Sequence, residues 1–243
     1  MFLDEYYILF ILLIACAIFS CVASAKVHST YAAFSSEKTR SNMTGYDTAV
    51  RLLRENGIYH VSVERTKGRL SDHFDPRKKV VRLSESTYGD NSIASVAVAA
   101  HEIGHVVQKE KGYLPYRIRT ALVPIANIGS FLALPLVIIG VILEVALQNA
   151  TTDWGYILAL VGVAFYGAST LFTLVTLPVE LDASKRARKM LIEEGILNEE
   201  EIYGAKRVLS AAAMTYVAAL ATSLVYFLRF AIWALSFFAR NRD

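Results

Sequence analysis

Two histidines one helical turn apart, with a glutamate between them, are the residues in this chain best placed to do chemistry. His101, Glu102 and His105 sit in the run His101-Glu102-Ile103-Gly104-His105. At about 100° per residue, positions four apart on a helix project only about 40° from one another. Two imidazoles placed in this way can share one zinc ion. Glu102, beside His101, can then take a proton from a water at the metal's open position. This is the H-E-x-x-H pattern of zinc metallopeptidases. With 5 His and 14 Glu in 243 residues, chance supplies only about 0.006 such patterns. The flanks are Val, Ala and Ile, so the helix must be buried, and three polar groups among them are costly unless partnered. Gly104 leaves room for another backbone to approach.

A zinc site of this kind needs a third protein ligand. His28, His60 and His73 all lie upstream, and no histidine follows His105. The downstream candidate is Glu180, a carboxylate that follows 26 uncharged residues and Pro178. The plainer reading of Glu180 is an acid at a helix start, favoured by the dipole. Asp182, two residues on, points some 200° away from Glu180 on a helix and is not expected to serve the metal.

The elements that must carry these residues are set by an uneven spread of charge. Only 19% of residues are charged, mean hydropathy is +0.39, and net charge is +3. Residues 6–25, 120–143, 154–179 and 208–228 contain no Asp, Glu, Lys, Arg or His. About 20 apolar residues span a bilayer, so a soluble single domain is excluded. The small, scattered positive charge argues against a nucleic-acid partner. Transmembrane helices are expected over residues 1–25, 120–147, 154–179 and 208–238. They frame an α+β domain at 26–119 and a helical segment at 180–207.

The first run could also be read as a signal peptide, but its start carries Asp4 and Glu5 and no base, which favours an uncleaved anchor. Cys16 and Cys21 both fall within this run and read as packing residues, not as a disulfide or metal ligands. Of 25 Lys and Arg, 16 fall in residues 26–119 and 6 in residues 180–207. The positive-inside tendency therefore places both segments, and the site, on the cytoplasmic side of a multi-pass cell-membrane protein. Arg229, Arg240 and Arg242 leave open three spans with an interfacial last helix. A transporter is disfavoured, because the runs offer few ionisable residues for a pathway.

Within residues 26–119, Thr44 and Asp47 form a capping-box start and Gly57 a stop, with Val50, Leu53 and Ile58 as the apolar face. Residues 59–65 and 79–83 read as strands, with a turn at Asp75-Pro76-Arg77. Asp90, Asn91 and Ser92 offer N-caps for the metal-site helix. Residues 79–83 could be an edge strand along which a peptide lies extended, or a strand with a purely structural role. Two further catalytic candidates are weaker. Tyr216 stands in a small-residue stretch, where its hydroxyl needs a partner. His73 stands beside the turn, where it could instead serve as a cap.

Four blocks in order resemble the YugP-like family of membrane zinc metallopeptidases. They are residues 72–84, from Asp72-His73-Phe74 to Leu83-Ser84; Ala99-Ala100-His101-Glu102-Ile103-Gly104-His105; Leu177-Pro178-Val179-Glu180; and residues 211–219 around Tyr216. The resemblance implies a mainly α, multi-pass membrane protein of about four transmembrane helices with a small α+β, zincin-like catalytic domain. It implies a gluzincin-like site holding one zinc, with His101, His105 and Glu180 as ligands and Glu102 as the base. The Glu180 assignment follows by analogy from membrane gluzincins, which carry the pattern E-x-x-A-D; here Ser184 stands where the aspartate would be. The expected activity is endopeptidase cleavage of protein or peptide substrates, with the bilayer as the other partner. A zinc-binding scaffold without turnover is the alternative, and a membrane-protein partner or homo-oligomer stays open.

Overall fold

The computed structural model describes residues 2–146 and 153–240. The order of elements is α1 (Phe2–Ser35), α2 (Gly45–Glu55), β1 (Ser62–Thr66), β2 (His73–Asp75), β3 (Val80–Ser84), α3 (Glu85–Tyr88), α4 (Ile93–Glu110), α5 (Leu114–Ala146), α6 (Trp154–Glu193) and α7 (Glu199–Arg240). Four helices are long and apolar enough to cross a membrane, at Tyr7–Ser35, Leu114–Ala146, Trp154–Glu193 and Glu199–Phe238. The protein is thus mainly α, with one small sheet. Its contacts divide it into two compact units. One comprises Met1–Ser20, Ile118–Thr176 and Val217–Asp243; the other comprises Cys21–Arg117 and Leu177–Tyr216.

The first unit is held by close helix contacts of the kind small residues permit in a bilayer. A Cβ added at Gly140 would meet the Gly155 carbonyl oxygen at 2.5 Å, and one added at Gly155 would meet the Gly140 oxygen at the same distance. Aromatic rings fill the remaining space: Tyr156 packs edge-on against Phe238, and Tyr166 stacks on Phe227.

In the second unit α2 begins as its sequence requires. Thr44 accepts from the Asp47 backbone N–H, and Asp47 accepts in return from the Thr44 N–H. Gly57, at φ 70, follows the helix in the left-handed conformation that glycine adopts freely. The buried face is Ala49, Leu52 and Leu53, with Ile58 beyond the helix; Val50 is only half-buried.

The three-stranded sheet has the order β1-β3-β2, with β1 parallel and β2 antiparallel to β3. This corrects two expectations. The stretch at 79–83 is the central strand, not an edge, so no peptide can lie along it. Val80 is buried on one face of β3 and Val81 and Leu83 on the other, while Arg82 is half-buried and pairs with Glu64 and Asp75. The third strand, β2, occupies a stretch too short for alternation to reveal. His73 opens this strand, and it does not cap the turn; Asp75 does so by accepting from the Arg77 and Lys78 N–H groups. The exposed edges of the sheet are therefore β1 and β2.

Helix α4 is the centre of this unit. Ser92 caps its first turn by accepting from the Ser95 N–H. Fourteen of its residues, from Ile93 to Gln108, are buried. Leu52, Leu83 and Leu191 belong to the same core cluster as Val96, Ile103 and Val106 of α4. It also approaches α6 closely: a Cβ built on Gly104 would lie 2.6 Å from the Ala183 carbonyl oxygen and 3.1 Å from its Cα. The obstacle is backbone, which cannot rotate aside. Gly104→Ala should therefore part the helices and destabilise the protein by about 1–3 kcal/mol, the usual cost of overpacking. Gly89→Ala, at φ −103 and with nothing within 4 Å of the added carbon, is the control. Thermal melts of both variants in detergent check this: Gly104→Ala should melt several degrees lower and Gly89→Ala close to wild type.

Candidate metal centre

The Gly104–Ala183 contact brings two helical turns face to face. On α4 the turn runs from His101 to His105, with Gly104 inside it. On α6 the turn runs from Glu180 to Ser184, with Ala183 inside it. Side chains four apart share a helix face, so the two imidazoles meet the carboxylate and the hydroxyl across this contact. His101 Nε2 lies 3.3 Å and His105 Nε2 3.5 Å from the same oxygen, Glu180 Oε2. One donor atom from each residue falls within 4.8 Å of the others. Glu180 is 2% exposed and His105 8%, while His101 is half-buried.

The opposite ring nitrogens are also engaged. Ser184 Oγ lies 3.1 Å from His101 Nδ1. His105 Nδ1 lies 3.0 Å from Oε1 of Gln108, a fully buried side chain. Gln108 Nε2 in turn donates to the Val179 carbonyl and to Asp182 Oδ2, both at 2.8 Å. Arg186 Nε donates to the same Asp182 oxygen at 2.5 Å, and its guanidinium lies over the Tyr113 ring. Asp182 thus does not point idly away from the site as its position on the helix suggested. It reaches His105 from behind, through Gln108.

The donor set suits zinc. Two imidazole nitrogens and one carboxylate oxygen are ligands of the kind zinc takes, and a tetrahedral ion about 2.0–2.1 Å from each would separate them by about 3.3 Å. The two nitrogen–oxygen distances, 3.3 and 3.5 Å, match that edge.

Glu102 is buried at 8% exposure beside this cluster. Burial pushes its carboxyl up to about 7; the charges of Asp72 and Glu180 push the same way, while His101 and the Phe74 backbone N–H pull it partly back. A cation held at the cluster would lower it again. The Phe74 hydrogen bond ties Glu102 to β2, the edge strand, and Lys109 on the same helix donates to the Pro76 carbonyl just beyond it. Asp72 fixes β2 to the end of β3 by accepting from the Ser84 N–H and hydroxyl.

Of the remaining sequence candidates, His73 is exposed on β2, with Nδ1 2.9 Å from the Ser71 carbonyl. Tyr216 lies half-buried on α7. The structure adds two residues that sequence reasoning missed, Gln108 and Tyr116, and it gives Ser184, which sequence marked only as standing in an aspartate's place, a contact with His101. The Tyr116 ring is 7% exposed and sits 6.4 Å from the His105 ring, centroid to centroid. Its signal was the sharp return at Gly112, φ 62, which ends α4 and folds the first turn of α5 back beside it.

Comparison with known proteins identifies the chain's relatives. Residues 9–235 match the family described as "Putative neutral zinc metallopeptidase". The chain is 40% identical over 221 residues to "Putative membrane protease YugP" of Bacillus subtilis (strain 168), covering 91% of this chain and 92% of that protein. No solved structure gives a significant match. With four membrane-length helices and a match that spans nearly its whole length, the chain belongs to this zinc metallopeptidase family.

Proposed function

We propose that the protein is a membrane-embedded, zinc-dependent endopeptidase with a gluzincin-like centre. In this reading His101, His105 and Glu180 hold the metal and Glu102 acts as the base. The observation that carries it is the meeting of both Nε2 atoms with one buried Glu180 oxygen, each ring being engaged at Nδ1 as well. If Nδ1 carries the proton, each Nε2 presents a lone pair to a carboxylate. Three acceptors so close together repel unless a cation lies among them.

Zinc bound there supplies Lewis acidity towards water and towards a peptide carbonyl. The chain's own residues do the rest. Glu102 accepts the proton of the attacking water and passes it to the leaving amine nitrogen as the peptide bond breaks. The Phe74 backbone and the burial around α4 hold that carboxyl in place. Ser184 and Gln108 orient the two imidazoles. The concentration of Lys and Arg in residues 26–119 and 180–207 supports a site at or near the cytoplasmic membrane face.

Three outcomes test this. Glu180→Ala and His101→Ala should each strip zinc from purified protein, as read by metal analysis. Glu102→Gln should keep zinc near the wild-type level and lose about 10²–10⁴-fold in cleavage of an unfolded protein such as casein, the usual contribution of general base catalysis. Retention of both zinc and full activity would remove Glu102 from the mechanism, and zinc-loaded wild type that cleaves nothing would favour a scaffold. For orientation, a cysteine at Lys67, in a chain lacking Cys16 and Cys21, should resist an impermeant thiol reagent applied to intact cells. Ready labelling there would overturn the cytoplasmic placement.

A further inference from the structure

We propose that Gln108 is a positioning residue that fixes which nitrogen of His105 is free to bind metal, and that Asp182 acts through it. The inference rests on the zinc site proposed above but concerns a different pair of residues. A glutamine amide can be turned either way, presenting oxygen or nitrogen to a neighbour. Here its orientation is determined on one side by two acceptors. The Val179 carbonyl and the Asp182 carboxylate each lie 2.8 Å from the amide nitrogen, and neither has a proton to give. The nitrogen must face them, so the oxygen must face His105. An amide oxygen only accepts, which requires His105 Nδ1, 3.0 Å away, to carry the proton. The lone pair is then left on Nε2, the atom 3.5 Å from Glu180.

Burial makes this arrangement hard to escape. Gln108 is fully buried, so a flipped amide would set nitrogen against the N–H and oxygen against a carbonyl and a carboxylate with no water to relieve them. Arg186 holds Asp182 in register at 2.5 Å while stacking over Tyr113. The chain of command runs Arg186, Asp182, Gln108, His105. The carboxylate that many metal-bound histidines contact directly is therefore set back by one amide on the His105 side. On the His101 side a hydroxyl, Ser184, takes that place.

The test uses full-length protein in detergent, with nitrogen-15-labelled histidine, and reads the tautomer of His105 in the metal-free state together with zinc affinity. Wild type should show His105 protonated at Nδ1. Gln108→Met keeps length and apolar bulk but cannot accept; it should give a mixture of tautomers and bind zinc about 10–100-fold more weakly, the usual cost of losing such support. Gln108→Glu should also bind weakly, because it sets a second carboxylate against Asp182. Adding Asp182→Asn to that variant restores a donor–acceptor pair and should recover much of the affinity. Should Gln108→Met fail to fold, the Gln108→Glu single and double variants carry the comparison alone. Wild-type affinity and an unchanged tautomer in Gln108→Met would overturn the proposal, as would no rescue by Asp182→Asn. Wild-type protein that binds no zinc would instead defeat the metal-site reading itself.

Discussion

The close approach of two helix backbones at Gly104 and Ala183 is the constraint on which the rest of the site depends. A single methyl group at Gly104 would occupy the space of the Ala183 carbonyl oxygen. Because Gly104 carries no side chain, one turn of α4 and one turn of α6 can place four side chains in mutual reach. His101 and His105 lie above and below Gly104; Glu180 and Ser184 lie above and below Ala183. A catalytic constellation must be held to within a fraction of an ångström, and rigid helices do this better than loops.

Electrostatics makes the arrangement costly and therefore informative. Two carboxyls, Glu180 and Glu102, lie buried beside the buried His105 and the half-buried His101, on helices whose other buried residues are mostly apolar. Such groups are kept only when they satisfy one another or bind something. Their near neighbours are arranged to that end. Ser184 and Gln108 meet the ring nitrogens facing away from the cluster, and the Phe74 N–H holds Glu102. Among the described residues the only buried side-chain polar atom without a partner is Thr48 Oγ1, which is not one of these.

Much of this was legible from residue types and spacing. The membrane-length helices follow from four charge-free runs, and the α4 cap from Ser92. Gly104 marked a close approach, although not to which partner. Glu180 stood out as the first charge after a long uncharged run, and the structure brings it to the two histidines. What was not legible depended on contacts between distant segments. Gln108 reads in sequence as one more polar residue near a helix end; only the return of α6 reveals its partners. Ser184 reads as the loss of an aspartate, yet its hydroxyl still reaches His101. Asp182 does not reach the metal cluster itself, yet its carboxylate meets the Gln108 amide that α4 brings to α6. The strand at His73–Asp75 is too short to show a period, and its pairing with β3 is decided by tertiary contact, which turned an expected edge into a central strand.

The central claim is that two imidazoles and one carboxylate of this chain hold a zinc ion. X-ray absorption at the zinc edge of the purified, zinc-loaded protein tests it most directly, since it reads the identity and distance of the ligating atoms without reference to activity. The account predicts a low-coordinate shell of nitrogen and oxygen only, at about 2.0–2.1 Å, with the outer-shell scattering pattern of two imidazoles. His105→Ala should lose the bound zinc and, with it, that pattern. A shell containing sulfur, a six-oxygen shell, or a two-imidazole pattern that persists in His105→Ala would contradict it.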